Sequence, residues 1–112
     1  MASSAVKKYW TRLVADGCLI CGSPACIAHA HGGSITPIMG VKAKGKKLDY
    51  MDWLVLSLCP FHHIDGPEGD ALDRNVEAFE AKHGRQADMI DRLSERYNLP
   101  LWALARSKKM RP

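Results

Sequence analysis

Residues 52–63, DWLVLSLCPFHH, decide how the rest of the chain is arranged. The run DWLVLSL (52–58) is short, apolar and without a helical period, and it stops at Cys59-Pro60, as a buried strand does. Directly after it, Cys59 and His62 form a C-x-x-H pair. Upstream, Cys18 and Cys21 form a C-x-x-C within CLICGSPAC, where Gly22 and Pro24 favour a tight turn over regular structure. Two donors at this spacing reach one tetrahedral ion from a turn, and the two pairs together make the Cys3His set typical of structural Zn2+. The gap of 37 residues between Cys21 and Cys59 is longer than in a small zinc finger. An ion held by both pairs would tie the start of the chain to the end of the central strand. Cys26 or His31 in place of His62 gives rival sets, and His63 can also take its place. Cys26 equally suits a small buried apolar side chain.

Outward from this stretch, Val6, Tyr9, Trp10, Leu13 and Val14 recur at helical spacing and predict a helix over 5–16 that stops at Gly17. ACIAHAHGG (25–33) predicts a brief strand ending at Gly32-Gly33. Residues 32–50, rich in Gly and Lys, predict a long loop, and loops of that length usually carry function. After the turn DGPEGD (65–70), Leu72, Val76 and Phe79 mark a helix that ends near His83-Gly84. Met89, Ile90, Leu93 and Tyr97 mark another, and Pro100 opens a last one with Leu101, Trp102 and Leu104 before the basic tail RSKKMRP. The expected class is α+β, with two short strands, a metal knuckle and about four helices.

A chain of 112 residues, 46% apolar and 25% charged, has the composition of one globular domain and not of a disordered segment. It holds no internal repeat and no apolar run near the roughly 18 residues of a membrane helix. MASSAVKKYWTRL lacks the apolar segment of a secretion signal, so the expected compartment is a reducing cytosol. There, four cysteines read as metal ligands before disulfides. A thiol-redox role for Cys18-x-x-Cys21 is disfavoured, because the pair has no βαβ context and has a C-x-x-H partner. The net charge of +4 arises wholly in residues 1–60, with seven basic and three acidic groups. Lys42, Lys44, Lys46 and Lys47 alternate there with small residues, as in a solvated loop or a basic arm lying along phosphates.

Histidines gather around the same knuckle. His29 and His31 lie two apart on the first strand, sharing a face, while Asp52 precedes the second strand and His63 follows Cys59-x-x-His62. Hydrolysis of a phosphodiester needs a water, a base and a cation, and a histidine side chain of ordinary pKa, about 6.5, serves as base near neutral pH.

The segments GCLICGSPACIAHAHGG, IMGVKAKGKKLDYMDWLVLSLCPFHH and FEAKHG resemble the Ref-like, RecA-dependent nucleases of phages and prophages, a branch of the HNH (ββα-metal) endonucleases. The resemblance covers roughly residues 6–95 and rests on the LCPFHH box, the Gly-Lys-rich loop and the KHG at 82–84. It implies a small HNH-like ββα-metal core with a structural zinc knuckle, wrapped by N- and C-terminal helices. It divides a single domain of 1–112 into an N-terminal helix (1–17), the core (18–83), C-terminal helices (85–107) and a basic tail (108–112). It further implies metal-dependent cleavage of DNA in phage recombination, in the bacterial host cytoplasm, with a RecA filament as partner and no membrane. His29 matches the family's general base, Asp52 its middle Asn/Asp, and His63 its catalytic-metal ligand for Mg2+ or Mn2+, which leaves His62 for zinc. Asp70 falls near a later family position and is the weaker ligand candidate. DNA would be held through its phosphates, with Lys42, Lys44, Lys46 and Lys47 in contact. One position departs from the pattern: Ala28 stands where the family carries a histidine ligand. His31 lies two residues past His29 on the same strand face, while residue 28 points to the other, so His31 cannot simply replace that ligand. Asp65 or Asp70 would have to compensate; otherwise the resemblance points to a zinc-stapled DNA-binding module of weak or no activity.

Overall fold

The structure is a computed structural model that describes residues 4–39 and 52–109. Lys42, Lys44, Lys46, Lys47 and the end of the basic tail lie outside the described residues.

Helix α1 (Ser4–Ala15) buries Val6, Tyr9 and Leu13, spaced three and four apart along one face. It gives way to Gly17, whose φ of +85° and whose Cβ position, 2.8 Å from the Gly22 carbonyl oxygen, both demand glycine. Strands β1 (Cys26–His29) and β2 (Val55–Leu58) pair antiparallel, with Cys26 opposite Leu58 and His29 opposite Val55. Every residue of β2 is buried, which is why the sequence there is a continuous apolar run without alternation. Beyond β1 the burial still alternates: Ala28 and Ala30 are fully buried, His29 and His31 half-buried.

Both strands are shorter than their sequences suggest, for identifiable reasons. The Ala30 N–H still donates to the Leu54 carbonyl at 2.8 Å. At His31 the Gln86 side chain takes over the backbone, accepting its N–H at 3.1 Å and donating to its carbonyl at 2.8 Å. On the other strand, the Trp10 indole donates to the Asp52 carbonyl at 2.9 Å, and Asp52-Trp53 form a helical turn outside the ladder.

A short helix α2 (Ile35–Met39) occupies part of the segment expected to be loop, anchored by the buried Ile35. After β2 the chain makes one π-helical turn, Phe61–Asp65, closed by the Gly66 N–H on the Phe61 carbonyl at 2.8 Å. It then folds back, so that Leu72 N–H donates to the His62 carbonyl at 2.9 Å and Asp73 N–H to the His63 carbonyl at 3.0 Å. Helix α3 (Val76–His83) is capped by Asn75, which accepts from Ala78 N–H. Leu72 therefore precedes this helix instead of lying on it. Helix α4 (Gln86–Tyr97) buries Met89, Ile90, Leu93 and Tyr97 and ends at the left-handed Asn98. Helix α5 (Leu101–Lys109) follows Pro100 and buries Leu101 and Ala105. One core unites α1, the sheet, α4 and α5, an α+β arrangement. None of the described helices is long and apolar enough to cross a membrane.

Candidate functional site

The sheet and the π turn carry the two cysteine-bearing pairs to one place. Cys18 N–H donates to the Ser23 carbonyl and Gly22 N–H to the Cys18 carbonyl, which curls CLIC into a knuckle. Leu19 N–H donates to the Ser57 carbonyl at 2.9 Å, and the buried Ser57 hydroxyl donates to the Gly17 carbonyl at 2.7 Å, which fix the knuckle to β2. Ile20 N–H points at Cys18 Sγ at 3.4 Å. The π turn presents His62 just past Cys59.

Cys18, Cys21, Cys59 and His62 form a single donor cluster. Cys21 and Cys59 sulfurs are 3.6 Å apart, and His62 Nδ1 lies 3.3 Å from Cys59 Sγ and 3.7 Å from Cys18 Sγ. A tetrahedron with Zn–S bonds of about 2.3 Å and a Zn–N bond of about 2.0 Å has S–S edges of about 3.8 Å and S–N edges of about 3.5 Å. The observed spacings match those edges, so the cluster can hold a tetrahedral ion such as zinc. Hydrogen bonding from Ser23 lowers the exposed Cys21 thiol to about 6, while burial pushes the Cys59 thiol up. Cys26 and His31 are not part of this cluster.

Behind His62, Asp70 and His83 complete a second group of possible ligands. Its carboxylate is already engaged, since Asp70 Oδ1 lies 2.7 Å from Lys82 Nζ and 3.1 Å from His83 Nε2. Lys82 first, then His83, hold the Asp70 carboxyl below its usual range. The His83 ring stands edge-on to His62 with centroids 5.3 Å apart. The His83 ring thus packs against His62, with Asp70 holding His83 in place.

Two further His–Asp groupings lie at the sheet. His29 Nε2 is 3.3 Å from Asp52 Oδ1, both largely shielded, and the Trp10 ring meets the His29 ring edge-on at 5.9 Å. Asp73 holds the other two histidines: Oδ1 is 2.9 Å from His31 Nε2 and Oδ2 is 3.2 Å from His63 Nε2. His63 Nδ1 faces the Cys26 sulfur at 3.6 Å. The carboxylate beside His63 is Asp73, while Asp70 sits with His62 and His83. The cause is the backbone pairing of residues 72–73 with residues 62–63 described above. Exposed Phe61 and Ile64 flank His63 on the same turn.

A network that no motif announced holds His31 in place. The Gln86 side chain is fully buried and grips the His31 backbone from both sides. Glu80 accepts from Ser34 N–H, from the Ser34 hydroxyl at 2.6 Å, from Gln86 N–H at 2.9 Å and from the Gln86 amide at 3.2 Å. It thereby caps the start of α4 and pins the Gly32-Gly33-Ser34 turn at once. Comparison with known proteins returns no match among protein families, curated proteins or solved structures.

Proposed function

We propose that this chain is a metal-dependent endonuclease that hydrolyses DNA phosphodiesters, akin to the Ref-like HNH nucleases, with its Cys3His cluster as a structural zinc site. The observation that carries this reading is the Asp73 carboxylate between His31 and His63, on the turn that directly follows the fourth ligand of the clamp. The His63 imidazole and the Asp73 carboxylate, both partly open to solvent, suit Mn2+, and the carboxylate suits Mg2+. Ala28, buried opposite Leu56, offers no ligand where the family carries a histidine.

A divalent ion held by His63 and Asp73 would supply positive charge against the phosphorane and leaving oxygens. The chain's own residues do the rest. We assign the ring proton of His29 to Nε2, donated to Asp52, which would put the basic lone pair on Nδ1, and the Trp10 edge meets the ring. His29 then takes a proton from the attacking water. Trp10 also holds the Asp52 backbone, so one side chain of α1 orients both members of the pair.

The test is nicking of supercoiled plasmid with Mn2+ or Mg2+, on naked DNA and on DNA carrying a RecA filament. His29→Ala, His63→Ala and Asp73→Ala should each lower the rate by about 100-fold or more. If the protein binds DNA but none of the three variants moves a background signal, the enzyme reading is lost. What remains is a zinc-stapled DNA-binding module, the reading that Ala28 favours.

A further inference from the structure

A second surface of the molecule has the chemistry of a ligand site. The loop between the clamp cysteines and helix α4 enclose a cleft of about 370 Å³, within the size range of small-ligand pockets. Its apolar lining is Leu19 and Ile20 from the knuckle with Met89 and Leu93 from α4, and its polar lining is Lys82, His83, Arg92 and Arg96. Among the described residues no carboxylate lines it, although α4 also carries Asp88, Asp91 and Glu95. Met89, Arg92, Leu93 and Arg96 recur at helical spacing, so α4 turns one mixed apolar and cationic face to the cleft while its acids lie elsewhere.

Two arginines four apart on a helix over an apolar floor offer an anion two cationic groups at once. Lys82 is shared with Asp70, and Arg96 also lies beside the Tyr97 hydroxyl. Arg92 is exposed and, among the described residues, makes no hydrogen bond or ion pair. A guanidinium fork matches a phosphate with two parallel hydrogen bonds and stacks on a flat ring, which an ammonium does not.

We propose that this cleft holds one nucleotide of a DNA strand, its phosphate on Arg92 and Arg96 and its base or sugar on Leu19, Ile20 and Met89. This inference rests on the nuclease reading and gives that reading a second point of DNA contact. Through His83 the cleft adjoins the clamp, so closure of the clamp shapes its knuckle wall.

Fluorescence anisotropy of a labelled oligothymidylate, with zinc-replete protein and no added Mg2+ or Mn2+, tests it over a salt titration. Arg92→Gln combined with Arg96→Gln should weaken binding at least tenfold at low salt. It should also flatten the plot of log affinity against log salt by about 0.7, the contribution of one phosphate contact on a single strand. Arg92→Gln alone should give about half that change of slope, and Arg85→Gln, on an exposed residue outside the cleft, almost none. Equal losses from Arg85→Gln and Arg92→Gln would show diffuse charge and overturn the proposal. So would displacement of the oligonucleotide by polyglutamate at equal charge. A wild type that nicks plasmid while the double variant binds unchanged overturns the cleft alone. A wild type that neither binds nor nicks DNA overturns the nuclease reading itself.

Discussion

Glu80 shows how much one side chain can organise. Burial alone would raise its carboxyl pKa, but the donors of Ser34 and Gln86 outweigh burial and hold it below the ordinary 4.5. The folded state therefore favours the ionised form. Its contribution is fully present above the unfolded value and is lost as pH falls through the lower folded one. Urea unfolding followed by circular dichroism should show the chain losing stability below about pH 4.5. Glu80→Gln should cost about 2 kcal/mol at pH 7, the loss of hydrogen bonds to a charged group, and should show a shallower acid dependence. An unchanged acid slope in the variant would place that dependence elsewhere. Of the site, Cys18, Cys21, Cys59 and His62 were legible, because thiols and imidazoles at fixed short spacing in turns have few other uses. Asp73, Glu80 and Gln86 were not, since their roles depend on partners 6 to 55 positions away and an isolated Asp, Glu or Gln carries no signature.

At the scale of elements, α1, α4 and α5 were readable from apolar spacing, and β2 from its unbroken apolar run. Helix α2 was not, because five residues, ITPIM, are too few to display a helical period. Both strands ended early where side chains from distant elements, Gln86 and Trp10, took over backbone groups, which is a tertiary effect that no local pattern contains. The turn between β1 and α2 is the tightest joint. Gly33 has φ of +45°, and a Cβ there would lie 2.5 Å from Glu80 Oε1 and 2.9 Å from Val76 Cγ1. Gly33→Ala should therefore cost about 3 kcal/mol, combining left-handed strain with displacement of Glu80. Gly22→Ala, at φ of +78° with open space around it, should cost only about 1 kcal/mol. Thermal melts of the two variants make the comparison, and equal costs would show that the Glu80 contact is not what constrains the turn.

For the molecule as a whole, the clamp joins residues 18–21 to residues 59–62 across the central sheet. In small zinc domains the binding free energy of the ion is in large part folding free energy. Exhaustive chelation should abolish the near-ultraviolet circular dichroism, and Cys59→Ser or His62→Ala should strip the ion and lower the melting temperature by more than about 10 °C. Metal content by mass spectrometry alongside the melt is the check, and a protein that stays folded without metal would remove the clamp from its central place. The division of the donors also sets a timetable during synthesis. Some 37 residues separate the two pairs, so at roughly 5–20 residues per second Cys18 and Cys21 leave the ribosome about 2–7 s before Cys59 and His62. For that interval the nascent chain offers only half of the Cys3His cluster, and no ion could join the two pairs until the second has been made.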